Sequence, residues 1–83
     1  MNNPNRKVTL EDQVDFIFRE PASLLIALRW TGLEMELAEV KLLCEMHECR
    51  RIQSRNRFDS AAQKLLESFI TRVELYCLRI QPA

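Results

Sequence analysis

The chain has little of what strands, loops and catalytic pockets are usually made of. Its 83 residues contain one glycine and three prolines. Apolar and polar residues never alternate over a stretch long enough to predict a half-buried β-strand. A single glycine also leaves no glycine-rich loop with which to shape an open pocket and its oxyanion site. The sequence therefore predicts an all-α protein and does not predict an enzyme.

Net charge and long hydrophobic runs are absent too. Twelve basic and twelve acidic side chains cancel, so no long-range attraction to nucleic acid or to an anionic membrane is expected. The longest apolar run, Leu24 to Leu28, is far shorter than the roughly 20 residues that span a bilayer. Residues 1–7 lack the apolar stretch of a secretory signal. Three cysteines in such a chain fit a reducing compartment, and we expect a cytoplasmic protein without membrane contact.

Helix-capping and helix-breaking residues divide the chain into four predicted helices. Thr9 and Asp12 have the spacing of a capping box, and Pro21 separates the first helix from the second because it disfavours helical geometry at Glu20. Together with the segment Ser54 to Arg57, these signals predict a polar N-terminal arm over 1–8 and a single helical domain over 9–83. The predicted helices cover about 10–19, 21–31, 32–53 and 59–80.

Gly32 allows two interpretations of the join between the second and third helices. In the first, it ends the second helix in a left-handed conformation, and Thr31 and Glu34 form a capping box for the third. In the second, the helix continues and tolerates the glycine at a cost of about 1 kcal/mol. We favour the break.

The third predicted helix is the most informative segment, because its apolar side chains fall on two opposite lines. At about 100° per residue, the first line contains Leu33, Leu37, Val40, Cys44 and His47. The second, roughly opposite, contains Met35, Ala38, Leu42, Met46 and Cys49. A surface helix needs one apolar stripe. Two stripes predict a helix that is contacted from both sides.

The fourth predicted helix is amphipathic, and its short connection to the third predicts an antiparallel hairpin with arms of about 20 residues, or roughly 30 Å. It can cover only one stripe of the third helix. The first two helices, or a second copy of the chain, would cover the other. A chain this small buries only about 60–65% of its unfolded surface, so we predict a small helical bundle completed by homodimerisation.

Candidate chemistry is confined to one histidine and three cysteines. Cys44 and His47 share a helical face, which makes a thiolate–imidazole pair geometrically possible. Cys44 and Cys49 lie about 140° apart on a helix, so they cannot hold the same ion. We expect these side chains and Cys77 to be packed between helices, and we predict no catalytic residue, no metal and no cofactor.

An arginine cluster near the end of the third helix raises the alternative of a small nucleic-acid-binding regulator. Arginine suits bidentate contact with phosphate, but Glu45, Glu48 and Asp59 flank the cluster, and cations near a helix C-terminus also complement the helix dipole. The cluster comprises Arg50, Arg51, Arg55 and Arg57.

The leading hypothesis is a non-enzymatic protein–protein interaction module, such as an adaptor, a chaperone or an inhibitor that regulates a partner protein. Its contact residues should be apolar side chains that a monomer does not easily bury, although each could equally pack inside the bundle or against a second copy. We expect Trp30 in the core and leave Phe16 open between core and surface. The candidate contact residues are Met35, Leu42, Met46, Cys49, Leu75 and Leu78.

Overall fold

A computed structural model of the chain describes residues 8–52 and 60–80. Within these ranges the chain forms four helices and no strand, which confirms the predicted all-α class. Residues 1–7 of the predicted polar arm over 1–8 lie outside the described residues, as does the predicted loop with Arg55 and Arg57. The helices are α1 (Leu10–Arg19), α2 (Pro21–Trp30), α3 (Leu37–Ile52) and α4 (Ser60–Ile80).

The start of α1 and the break between α1 and α2 were both predictable from single residues. The Thr9 hydroxyl accepts a hydrogen bond from the Asp12 amide at 3.1 Å, and the Asp12 carboxylate accepts one from the Thr9 amide at 3.2 Å. The capping box is thereby confirmed. Glu20 adopts an extended conformation, as expected before Pro21, and Pro21 starts α2 as its first residue.

Gly32 ends α2, and the predicted break is confirmed. Its φ of +93° is left-handed, the Gly32 amide donates to the Arg29 carbonyl at 2.9 Å, and the Leu33 amide donates to the Leu28 carbonyl at 3.0 Å. This pair of bonds is the Schellman arrangement, which satisfies the last carbonyls of a helix.

The predicted capping box of Thr31 and Glu34 is wrong, and α3 does not begin near residue 32. The Thr31 hydroxyl instead donates to the Leu28 carbonyl at 2.7 Å, so it serves the end of α2. Residues 33–36 are not helical. The start of α3 is marked by the Glu36 amide, which donates to the Glu39 carboxylate at 3.0 Å, one half of a capping box placed five residues later than predicted.

The core is a single apolar cluster to which every helix contributes. Helix α4 packs extensively against α1 and α2 and has the smallest contact with α3. The antiparallel hairpin of α3 and α4 stays a prediction, because its loop lies outside the described residues. No polar side chain among the described residues is buried. The cluster comprises Val14, Phe18, Leu24, Leu28, Val40, Leu43, Leu66, Val73 and Cys77.

Within the chain, the middle turns of α3 are buried on one side only, so contact of the second stripe by another molecule stays a prediction. Val40 and Leu43 are buried, whereas Leu42 on the second stripe is 60% exposed. Leu43 lies between the two predicted lines, so the buried face is centred on neither of them. Met35 precedes the helix, and both Met35 and Met46 pack against the edge of the core. The second stripe is therefore divided between core edge and surface.

Candidate functional site

An apolar groove lies where α1, α2 and α4 meet. It has a volume of about 320 Å³, and none of the side chains that line it is charged. Such grooves, with an apolar wall and few polar groups, are the usual form of binding sites on small domains. The lining residues are Gln13, Phe16, Ile17, Ser23, Ile26, Tyr76, Cys77 and Ile80.

Two large apolar side chains, one on α1 and one on α2, are exposed along the groove. Val14 and Phe18 bury the inner face of α1, which leaves Phe16 on the opposite face with 61% of its surface exposed. Leu24, Ala27 and Leu28 bury the inner face of α2. Ile26 lies off that face and is 58% exposed. Both walls therefore present apolar surface to solvent.

The floor of the groove is formed by α4. Cys77 is buried there, and burial, reinforced by the charge of Glu74, raises the pKa of its thiol. The thiol therefore stays protonated at neutral pH and behaves as a small apolar group rather than as a nucleophile. Cys77 serves as a surface against which an apolar ligand side chain could pack.

Trp30 extends the apolar surface beyond the groove, and its predicted place in the core is wrong. The side chain is 46% exposed, and its ring meets the ring of Tyr76 edge-on, with centroids 5.6 Å apart. Trp30 follows Ile26 by four residues, so the two side chains lie on the same outer face of α2. Gly32 ends the helix directly afterwards, and Tyr76 of α4 covers part of the Trp30 ring.

One cation stands beside the groove. The guanidinium of Arg19 lies 5.9 Å from the ring centroid of Phe16, within the distance of a cation–π contact. Arg19 itself is exposed. The groove thus combines an uncharged apolar interior with a positive charge next to its most exposed aromatic ring.

None of the six predicted contact residues lines this groove. Leu42, Leu75 and Leu78 are exposed on the outer faces of α3 and α4, whereas Cys49 is half-buried. Met35 and Met46 pack against the core. The sequence did carry a signal for the groove: Phe16 falls outside the face formed by Leu10, Val14 and Ile17, and Ile26 and Trp30 are spaced for one face of α2.

Of the histidine and cysteine candidates, His47 and Cys44 lie outside the groove. The His47 ring stacks on Phe18 with centroids 4.4 Å apart, and its Nε2 lies 3.4 Å from a carboxylate oxygen of Asp15. Burial lowers the pKa of His47, although the charge of Asp15 acts in the opposite direction. Burial likewise raises the pKa of Cys44. Within residues 8–52 and 60–80, no three His, Cys, Asp or Glu side chains are grouped to hold a metal ion.

Acidic side chains lie near both described arginines of the cluster, and one of the two, Arg51, is paired. Arg51 contacts both carboxylate oxygens of Glu48, at 2.9 and 3.3 Å. Arg50 is half-buried and lines a cleft that it shares with Glu11, Asp15 and Glu74. Each of these two arginines therefore has acidic groups close by, which weakens their attraction for phosphate.

No helix in the part of the chain that the structure describes is both long and apolar enough to cross a membrane. A comparison of this chain with protein-family models, with curated proteins and with solved structures found no match. The function must therefore be inferred from the groove and its surroundings.

Proposed function

We propose that the chain is a non-enzymatic protein-binding module that receives a segment of a partner protein in the α1–α2–α4 groove. The observation that carries this proposal is the open, uncharged groove walled by Phe16 and Ile26, whose side chains are each more than half exposed. Contiguous apolar surface of this kind is typical of an interaction site. A cytoplasmic location and an adaptor, chaperone or inhibitor role are parts of the same proposal.

The shape and chemistry of the groove favour an amphipathic helix as the bound segment. A helix presents its apolar residues as a narrow ridge, which suits a groove between helices. Aromatic side chains supply much of the binding energy in such contacts, and this surface offers Phe16, Trp30 and Tyr76. Because Arg19 stands beside Phe16, an acidic residue next to the apolar ridge of the partner would fit best.

Ile26 and Leu42 make a matched pair with which to test the groove. They are 58% and 60% exposed, respectively, and each lies on the outside of a helix. Glutamate at either position should leave the fold intact, because neither side chain is buried. Circular dichroism would check this. Only Ile26→Glu introduces a charge into the groove.

The test begins with affinity capture from the native host and ends with direct binding of the purified partner by isothermal titration calorimetry. We expect Ile26→Glu to weaken binding at least tenfold and Leu42→Glu to leave it unchanged. The reverse result would place the contact on α3, where the sequence first suggested it. Equal affinity of both variants and the unmodified chain would overturn the groove proposal.

The nucleic-acid alternative predicts a different result. A gel-shift series over salt concentration should show a complex that strengthens as the ionic strength falls, if Arg50 and Arg51 contact phosphate. Because Arg51 is paired with Glu48 and Arg50 lies among acidic side chains, we expect no shift even at low salt. A salt-dependent shift that Arg50→Gln removes would contradict the protein-binding proposal.

A further inference from the structure

Helix α4 has a second regular face, opposite to the one that packs in the core. We call it the outer seam and define it as Ser68, Thr71, Leu75 and Leu78. All four residues are exposed, and the two leucines are 45% and 64% exposed, respectively. Their spacing of three, four and three residues is that of positions a and d in a heptad.

The core face of the same helix follows the same seven-residue repeat. Leu66, Val73 and Ile80 are seven residues apart and lie on the side of α4 that faces the core and the groove. The outer seam is therefore not a continuation of the core stripe. It is a separate line of exposed side chains about half a turn away.

Charged residues flank the outer seam with opposite signs on its two sides. With Leu75 at position a, Glu74 occupies position g and Arg79 position e of the same repeat. Neither side chain takes part in an ion pair among the described residues. In a parallel coiled coil, a residue at g faces the residue five positions later, at e of the other helix. Glu74 and Arg79 have this spacing and opposite charge.

We propose that the outer seam pairs in parallel with the outer seam of a second copy of this chain. Leu75 and Leu78 would meet their counterparts, and Glu74 of each copy would meet Arg79 of the other. An antiparallel pair would bring like-charged g positions to one side and like-charged e positions to the other. The charges therefore select both the partner and its direction, and the net charge of zero adds no general repulsion between copies.

The apolar part of this contact is short. Toward the N-terminus of α4 the seam becomes polar through Thr71 and Ser68, and the next d position is Lys64, which would face another lysine. The pairing is thus confined to the last two turns of α4. We expect a weak dimer that forms reversibly as the protein concentration rises, and that weakens with added salt because the flanking ion pairs are exposed.

Exchange of the two flanking charges tests the proposal directly. Glu74→Arg makes positions 74 and 79, which flank Leu75 and Leu78, both basic, and Arg79→Glu makes them both acidic. Sedimentation velocity over a concentration series should show a dimer for the unmodified chain and at least tenfold weaker association for each variant alone. An equimolar mixture of the two variants should form a heterodimer, because the basic flanks of one variant would then face the acidic flanks of the other.

Leu78→Glu provides an independent variant, because Leu78 is exposed and lines neither the groove nor the cleft beside Arg50. It should abolish the dimer while circular dichroism stays unchanged, and Ile26→Glu in the groove should leave the dimer intact. A dimer that persists in Leu78→Glu would overturn the proposal, as would a monomer at every concentration of the unmodified chain. Single variants that associate as well as the unmodified chain would exclude the parallel direction, because in an antiparallel pair each substitution leaves like charges facing like charges. None of these results depends on the groove having a partner.

Discussion

The groove and the outer seam lie on opposite sides of α4 and differ in almost every physical property. The groove is concave, uncharged and walled by aromatic and branched side chains. The outer seam is convex and offers two leucines between charged flanks. Buried apolar area in a concave site contributes most of the binding energy of a complex, whereas charge patterns mainly set orientation and partner choice. Helix α4 therefore contributes to two surfaces: the groove, which is suited to tight binding, and the outer seam, which is suited to the choice and orientation of a partner.

The largest expected effect concerns the core that holds both surfaces in place. Phe18 is 1% exposed and stacks on His47. Phe18→Ala should lower the free energy of unfolding by about 3–5 kcal/mol, and it should impair the groove and the outer seam together. Urea denaturation followed by circular dichroism measures the change.

Phe16→Ala is the matched control, because it alters the same residue type two positions away on α1. Phe16 is 61% exposed, so the free energy of unfolding should change by less than about 1 kcal/mol, while affinity at the groove falls. If Phe16→Ala destabilised the chain as much as Phe18→Ala, Phe16 would be a core residue and the groove would not be open.

A crossed comparison separates the two surfaces. Ile26→Glu should weaken binding in the groove by at least tenfold and leave dimerisation unchanged, and Leu78→Glu should do the reverse. The reason is that their exposed side chains belong to different helices and to opposite sides of α4. Calorimetry with the purified partner and sedimentation velocity measure the two effects on the same preparations. If either variant affected both measurements, the two surfaces would be coupled through α4.

The helices were largely predictable from the sequence, because their ends depend on local residues. Thr9 with Asp12, Pro21 and Gly32 act within one turn of the chain, and each marks a boundary in the structure. The start of α3 was not predictable in the same way. Thr31 and Glu34 have the spacing of a capping box. However, the Thr31 hydroxyl and the Leu33 amide are already engaged in the hydrogen bonds that end α2.

The candidate site was less predictable, because it depends on how the helices pack. The periodicity of α3 showed two apolar lines, yet the buried face passes through Leu43 between them. Likewise, Trp30 was expected in the core as a large aromatic residue, but α2 turns it outward beside Tyr76. Periodicity shows which residues share a face, and only the packing of neighbouring helices decides which face is covered.

Gly32→Ala should have a moderate effect on the stability of the chain that holds both surfaces. A side chain at φ +93° is strained, which costs about 1–2 kcal/mol. No atom lies within 4 Å of the position of the added Cβ, so the whole cost is conformational. Gly32→Asn should cost less, because asparagine tolerates the left-handed region. Thermal unfolding of the two variants measures the difference, and equal stability of Gly32→Ala and the unmodified chain would mean that the turn is not left-handed.

The smallest expected effect is a pH dependence of the free energy of unfolding, which concerns the fold that holds both surfaces. Burial lowers the pKa of His47 below its ordinary value of 6.5, so the folded chain holds the imidazole neutral. As the pH falls through 6.5, the unfolded chain takes up the proton first, and the free energy of unfolding decreases until the lower pKa of the folded state is passed. The stabilisation is therefore complete above pH 6.5 and lost below it.

His47 is the one histidine of the chain, so urea denaturation at pH 7.5 and 5.5 should isolate this effect. His47→Phe, which keeps a ring against Phe18, should show a flatter profile, whereas an increase in stability on acidification of the unmodified chain would mean that Asp15, and not burial, dominates the pKa.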